Sequence, residues 1–236
     1  MTDRKSVLCV IPARGGSTGV PRKNLRRLSG MPLLAHTLEH ARAAKCIQRI
    51  VVSTDDGEIA DLARARDAGV VIRPPELSTD TASSETAIAH ALDSLKRAQG
   101  YAPDVVVFLQ CTCPFREADD IDRAADVVLR GDADSVLSVV PFHGFLWTRG
   151  DDAIGMPLNY DPGCRPRRQD MPPTFRENGS IYVFTTELFQ RTGVRVGGRI
   201  AMHVMDEMAA LDIDSELDFQ LAEALAPAQP SRGRDR

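Results

Sequence analysis

No apolar run in the 236-residue chain approaches the roughly 18 residues needed to span a bilayer, and Met1-Thr-Asp-Arg-Lys5 lacks the apolar core of a signal peptide. A soluble, unexported, cytoplasmic protein is expected. Net charge is small, −4, which excludes a surface built to coat nucleic acid. The five cysteines form no C-x-x-C pair, and Cys111-Thr-Cys113 is too sparse to read as a metal site. They are expected to be packing residues in a reducing compartment. The histidines, His36, His40, His90, His143 and His203, show neither H-E-x-x-H spacing nor a Ser or Cys nucleophile motif nearby, so covalent catalysis is not indicated. His36 and His40, four residues apart, read as a half-buried helix face. Internal repeats are absent.

What the chain does have begins at Val7. Val7, Leu8, Val10 and Ile11 make the short continuous apolar run of a central parallel strand, ended by Pro12. Gly15, Gly16 and Gly19 then allow close backbone approach, so that N–H groups can point at phosphate oxygens, with Arg14, Arg22 and Lys23 as counter-charge. The loop suits a nucleoside triphosphate, although it fits neither G-x-x-x-x-G-K-[ST] nor G-x-G-x-x-G. On its own it also reads as an ordinary strand–loop turn with solvated basic residues.

Strand and helix patterns alternate through the first 140 residues. Helices are predicted from Pro32 to Lys45, Glu58 to Ala68 (capped by Asp55 or Asp56, stopped by Gly69), Glu85 to Gln99 and Ala118 to Arg130. Strands are predicted at Arg49–Thr54, Val70–Ile72, Val105–Leu109 and Ser135–Val140. This is an α/β protein with a doubly wound, mostly parallel sheet, a Rossmann-like arrangement whose ligands bind beyond the carboxyl ends of the strands. Residues 1–225 read as one domain, with 142–176 an insertion where the rhythm breaks, and 226–236 a disordered tail. Strands at Ile181–Phe184 and Ile200–Val204 and a helix at Ser215–Leu225 close the fold.

Asp212-Ile-Asp214 places two carboxylates at a strand end, pointing the same way and able to share a hard cation such as Mg²⁺; the alternative is that Asp214 merely caps the following helix. Gln110 ends a buried strand at the active edge, where its amide can orient a substrate or simply be a strand-end polar group. Arg165, Arg167 and Arg168 offer forks for a carboxylate or phosphate, or a solvated basic loop.

Several ordered stretches resemble the CMP-sialic acid synthetase (acylneuraminate cytidylyltransferase) family. They are Ile11-Pro-Ala-Arg-Gly-Gly-Ser17 with Pro21-Arg-Lys-Asn24, Val51-Val-Ser-Thr-Asp55, Arg73-Pro-Pro-Glu-Leu77, Asp80-Thr-Ala-Ser-Ser84, Leu109-Gln-Cys-Thr-Cys-Pro-Phe-Arg116, Arg168-Gln169, Phe175-Arg-Glu-Asn-Gly-Ser-Ile-Tyr182 and Asp212-Ile-Asp-Ser-Glu-Leu-Asp218. The resemblance covers nearly the whole chain. It implies a nucleotide-diphospho-sugar transferase-like fold and a cytidylyltransferase that joins a nonulosonic acid to CTP, releasing pyrophosphate. Arg14, Ser17 and Lys23 would hold the triphosphate, and Asn24, Arg73 and Ser84 would address cytosine. Gln110, Arg168 and Tyr182 would face the sugar acid, while Asp212 and Asp214 would hold Mg²⁺. It further implies a homodimer whose inserted lobe reaches the partner's site. Thr18 stands where the family usually has Lys, with Arg22 as the expected substitute. Cys111-Thr-Cys-Pro-Phe-Arg116 replaces Pro-Thr-Ser-Pro-Leu-Arg, and no lysine lies between His143 and Trp147. Other acceptors, an octulosonate or a phosphonate, and a catalytically reduced nucleotide-binding paralogue are the competing readings.

Overall fold

The computed structural model describes residues 5–226 apart from Thr18 and Asp80; Thr18 and, beyond Ala226, the tail expected to be disordered lie outside the described residues. In chain order the strands are β1 (Val7–Pro12), β2 (Arg27–Leu28), β3 (Met31–Pro32), β4 (Arg49–Thr54), β5 (Gly69–Ile72), β6 (Val105–Leu109), β7 (Ser135–Phe142), β8 (Trp147–Arg149), β9 (Gly155–Pro157), β10 (Thr174–Thr185) and β11 (Ile200–Val204). The helices are α1 (Leu33–Ala43), α2 (Gly57–Arg64), α3 (Ser84–Gln99), α4 (Ala118–Leu129), α5 (Thr186–Thr192) and α6 (Glu216–Leu225). Seven strands form one sheet in the order β11-β7-β10-β6-β1-β4-β5.

β1 is continuously apolar because both of its faces are covered. Val7, Cys9 and Ile11 pack in the layer that holds Leu34, Leu38, Ile121 and Phe219, whereas Leu8 and Val10 meet Ile88, Ala91 and Phe108 on the other side. Pairing is parallel for β1 with β4 and β6, β4 with β5, and β7 with β11. β10 runs antiparallel between β6 and β7. Residues 143–173 supply no crossover helix, so β10 returns beside β7 in the direction that needs none. The main-sheet strands therefore reach Phe142 and resume at Thr174, leaving residues 143–173 as the excursion, with β8 and β9 paired as a small separate ribbon.

Helix boundaries follow their caps. Asp56 accepts from the N–H of Ile59 and Ser83 from that of Thr86, starting α2 and α3 where expected. Pro32 occupies the N-cap of α1 rather than its first turn. Gly69 is not the stop for α2: that helix ends at Arg64, Asp67 takes φ 46°, and Gly69 already pairs in β5. α5, which the sequence pattern did not reveal, is only seven residues long and is bounded by Thr185 and Gly193.

At the β11 end of the sheet, the ring Nε2 of His203 lies 3.0 Å from Oδ1 of Asp120, a residue in the first turn of α4. Burial alone would raise the Asp120 carboxyl, but His203, the N–H of Glu117 and Arg123 together hold it below the ordinary carboxylate range. A depressed carboxyl contributes stability above its unfolded value, about pH 4, and that contribution is lost as pH falls through the lower folded value. Asp120→Asn is therefore expected to lower the melting temperature at pH 7 and to lessen its decline below about pH 4. Identical acid-side slopes for variant and wild type in thermal unfolding would refute the linkage.

Candidate active site

Beyond the carboxyl ends of β1, β5 and β6 lies a cleft of about 710 Å³ lined by Arg14, Ser17, Lys23, Asn24, Arg73, Ser84, Gln110 and Asp214, among others. The glycine loop is held there from several sides. Asp55 Oδ1 accepts from the N–H of Gly15 at 3.0 Å, and the Asn24 side chain donates to the carbonyl of Arg14 at 3.0 Å. Gly19 is required because any Cβ would collide with the Asp214 carbonyl oxygen. The close packing binds the loop after β1 to the segment before α6. Lys23 strengthens that tie, its Nζ donating to the carbonyl of Ile213 at 2.5 Å and meeting Asp214 Oδ1 at 3.1 Å.

Arg73, 7% exposed, enters from the end of β5 with its backbone N–H on the Thr54 carbonyl and Nη1 directed at the Leu77 carbonyl at 3.4 Å. Its Nε is buried and has no hydrogen-bond partner among the described residues, which leaves donor capacity beside the cleft. Arg22 does not supply the substitute cation that was expected, since its guanidinium is taken up by Asp56 at 2.7 Å and Glu58 at 3.0 Å.

A second pocket of about 380 Å³ adjoins the first through Gln110, which lines both; Arg176, Glu177, Gly179, Tyr182 and Asp212 are among its other walls. Its geometry comes from a break in the β10–β7 register between Glu177 and Tyr182. Gly179 there has φ 71°, a conformation side chains rarely adopt, and a Cβ would come within 2.7 Å of Gln110 Oε1 and push that amide aside. Asn178, 4% exposed, fixes the break from beneath: Oδ1 accepts from Ser138 Oγ at 2.6 Å, and Nδ2 donates to the Ala209 carbonyl at 2.9 Å. Tyr182 donates its phenol hydrogen to Glu177. Burial and that hydrogen bond push the phenol up to about 12, so it remains an O–H donor at neutral pH.

Gln110 is positioned by an arginine whose role the sequence did not disclose. Arg116 is fully buried, and its guanidinium donates to the carbonyls of Gln110 and Cys113, to Ser180 Oγ at 2.9 Å and to Thr37 Oγ at 3.3 Å. The loop after β6 is folded around this one cation. Both Arg116 and Asn178 fall within the recognised motifs, but their burial was the missing signal.

Asp212 and Asp214 sit in an irregular connection, not at the strand end that was expected. The N–H of Ile213 bonds the Thr112 carbonyl at 2.9 Å, and the buried Ile213 side chain anchors the segment. The helix-cap alternative for Asp214 fails, because Ser215 is the N-cap of α6 and forms a capping box with Asp218. Asp212 lines the smaller pocket and Asp214 the larger. Burial raises the Asp212 carboxyl, and the charge of Asp214 adds to that, against a Thr112 hydrogen bond and Lys23. Two adjacent carboxylates, one half-buried, form a site that a hard divalent cation would relieve. Among the described residues no three His, Cys, Asp or Glu side chains are grouped to hold a metal alone. This donor set fits an ion that brings phosphate oxygens with it, as Mg²⁺ does.

Arg14, Ser17, Lys23, Asn24, Arg73, Ser84, Gln110, Tyr182, Asp212 and Asp214 thus gather around two joined pockets. Arg168 does not join them: it is exposed on a short 3₁₀ turn of the 143–173 excursion and lines neither pocket. A larger cleft, about 810 Å³, lies at the opposite end of the strands, where Asp119 pairs with Arg123 and Asp122 accepts from the N–H groups of Lys45 and Cys46. Among the described residues it has no glycine loop, and Lys5, Asp119, Asp122 and Arg123 in its lining are engaged with one another or with backbone groups.

A sequence profile described as Cytidylyltransferase matches residues 8–191. This chain belongs to the cytidylyltransferase family. The chain is 37% identical over 227 residues to N-acylneuraminate cytidylyltransferase A of Danio rerio, covering 93% of this chain and 51% of the relative. It is 31% identical to post-translational flagellin modification protein B of Campylobacter coli, over 97% and 98% of the two chains. The chain thus spans about half the length of the N-acylneuraminate cytidylyltransferases it matches, and nearly all of the flagellin modification protein. The expected resemblance to the CMP-sialic acid synthetase family is borne out. Among solved structures, a CMP:2-keto-3-deoxy-manno-octonic acid synthetase complexed with CTP aligns with TM-score 0.69 at 15% identity, over 95% of this chain and all of that one. A 4-diphosphocytidyl-2C-methyl-D-erythritol synthase from Anaerococcus prevotii aligns with TM-score 0.67 at 14% identity. At such identities the likeness bears out the fold alone, an α/β architecture with a mostly parallel sheet. No helix among the described residues is long and apolar enough to cross a membrane.

Proposed function

We propose that this chain transfers the cytidylyl group of CTP to a nonulosonic, sialic-type 2-keto sugar acid, giving a CMP-sugar and pyrophosphate. The observation that carries this reading is the junction of two pockets at Gln110, with Asp214 on the nucleotide side and Asp212 on the acceptor side. The larger pocket would take CTP. Arg14, Lys23, Ser17 and the loop N–H groups face its triphosphate, while Arg73, Asn24 and Ser84 surround the base end. The smaller pocket would take the sugar acid, with Gln110 and Tyr182 orienting its hydroxyls. In-line attack by the anomeric 2-hydroxyl on the α-phosphorus then expels pyrophosphate, and much of the acceleration comes from positioning and from cations gathered about the phosphates. Asp212 and Asp214 would hold Mg²⁺, which supplies charge neutralisation at the phosphate oxygens. Lys23, already between the carboxylate segment and the glycine loop, contributes positive charge at the same place.

The direct test is pyrophosphate release with CTP and Mg²⁺ across nonulosonic acids, an octulosonate and simple phosphonates. Turnover with a nonulosonic acid and CTP, and far less with UTP, ATP or GTP, is the expected result. Tight CTP binding with no turnover across the panel would overturn the reading.

A homodimer is part of the proposal. Arg168 is exposed on the excursion, whose β8–β9 ribbon also exposes Trp147 and Met156, so a second copy could receive both the apolar surface and the guanidinium. Arg168→Ala is expected to raise the sugar-acid KM at least tenfold, as lost charge-assisted hydrogen bonds to a carboxylate imply, while the CTP KM stays within about twofold. Steady-state kinetics with each substrate varied checks this; a selective rise in the CTP KM would place Arg168 on the other substrate.

A further inference from the structure

The loop from Val194 to Arg199, between α5 and β11, drew no functional reading from the sequence, yet it sets a half-buried cation against Tyr182, a wall of the smaller pocket. The Arg195 side chain is 20% exposed and forms an ion pair with Glu85, whose side chain is 29% exposed. Its guanidinium carbon lies 4.4 Å from the centroid of the Tyr182 ring and 5.5 Å from that of Phe108. Phe108 itself meets Tyr182 edge-on, with centroids 6.0 Å apart. The loop that carries Arg195 is pinned to β7: Ser135 Oγ donates to the Gly197 carbonyl at 2.7 Å and accepts from the Gly197 N–H at 3.0 Å. Asp134 accepts from the N–H of Arg199 at 2.8 Å. Arg195 is thus delivered to the Tyr182 ring by a fixed loop.

We infer that Arg195 is a positioning residue for the acceptor pocket, holding the Tyr182 ring so that its hydroxyl meets Glu177 at the pocket wall. The inference rests on the assignment of the smaller pocket to the sugar acid. Four side chains form a continuous series with alternating roles: Glu85 anchors Arg195, Arg195 lies against the Tyr182 ring, and Tyr182 donates to Glu177. Glu177 lines the pocket, and the hydrogen bond fixes one of its oxygens while leaving acceptor capacity for hydroxyls of a polyol. Glu85 is the second residue of α3, directly after Ser84, which lines the nucleotide cleft. The series therefore begins beside one pocket and ends in the other. Stability alone gives a weak account of this arrangement, since the buried Nε of Arg195 finds no hydrogen-bond partner among the described residues and leaves a desolvation cost uncompensated.

The test compares Arg195→Met and Arg195→Lys with wild type in pyrophosphate release, varying CTP and sugar acid separately. Arg195→Met keeps apolar contact with the rings but removes the charge. It is expected to raise the sugar-acid KM roughly tenfold, as loss of a desolvated cation–π contact implies, with the CTP KM within about twofold. Arg195→Lys, which keeps a cation able to reach both Glu85 and the ring, is expected to recover most of the loss. Circular dichroism and melting temperature establish that each variant is folded; if Arg195→Met does not fold, Glu85→Gln, which weakens the anchor of Arg195, carries the same expectation at smaller amplitude. Unchanged sugar-acid KM in a folded variant, or equal rises in both KM values, would overturn the inference. Absence of wild-type turnover with every sugar acid would instead count against the assignment of the pocket.

Discussion

Asp212→Asn is expected to cut cytidylyl transfer roughly a thousandfold at saturating substrates, while the melting temperature changes by no more than a few degrees. The magnitude follows from the several kcal/mol of charge stabilisation that a divalent ion provides at a transferring phosphoryl group, at about 1.4 kcal/mol per factor of ten. Folding is spared for a reason visible in the structure. The carboxyl of Asp212 is raised by burial and by Asp214, so charge at this position works against the folded chain, and removing it relieves repulsion. Position is maintained independently by Ile213, whose side chain is buried and whose N–H bonds the Thr112 carbonyl. A more stable and nearly inactive variant is therefore the expected signature of a ligand-bearing carboxylate. Initial rates across a Mg²⁺ titration, together with a thermal melt, measure both halves. Unchanged turnover at limiting Mg²⁺ would remove Asp212 from the site.

Arg116→Met is expected to do the opposite, destabilising the fold by about 3 kcal/mol. Two terms compete at this position. Burying a guanidinium away from any carboxylate partner is costly, and methionine escapes that cost. Against this, the carbonyls of Gln110 and Cys113 and the hydroxyls of Ser180 and Thr37 would lose their common donor. Each buried acceptor left without a partner costs about 1–3 kcal/mol, and the two carbonyls cannot turn elsewhere. The acceptors outweigh the charge. For a chain of this length the melting temperature should fall by roughly 6–12 °C. Arg116→Lys should recover only part of the loss, since one ammonium cannot reach four acceptors arranged for a planar fork. A melting temperature at or above wild type in Arg116→Met would show that desolvation dominates.

Much of this architecture was legible because local and tertiary signals agree. β4, β6 and β11 begin and end as predicted, since each is a short apolar or alternating run flanked by polar residues. The glycine loop, Arg73 and Gln110 converge as expected because all lie beyond the carboxyl ends of parallel strands. Direction and distance were harder to read. The reversal of β10 has no local mark, since an antiparallel strand within a mostly parallel sheet carries the same apolar pattern as its neighbours. The Asp212–Asp214 segment was assigned to a strand end because alternation by two suits a strand, yet the chain there is irregular and is held by one buried isoleucine. Arg22 looked like a phosphate ligand by position, but Asp56 and Glu58, more than thirty residues onward, had the prior claim. Arg116 and Asn178 are polar in sequence and buried in space, and Arg195 is half-buried; hydropathy alone cannot register that combination.

The contact of Gly19 with the Asp214 carbonyl, and of Lys23 with Ile213, joins two segments of the polypeptide, Lys23 and Ile213 lying 190 residues apart in the sequence. During synthesis the phosphate loop emerges well before the carboxylates. An unfinished chain therefore carries half a nucleotide site, and the complete one arises only when the segment before α6 docks against the loop. Closing so long a loop is entropically costly, and a ligand that touches both sides returns part of that cost by mass action. Nucleotide bound in this cleft would act as a clasp, opposing separation of the segment before α6 from the glycine loop.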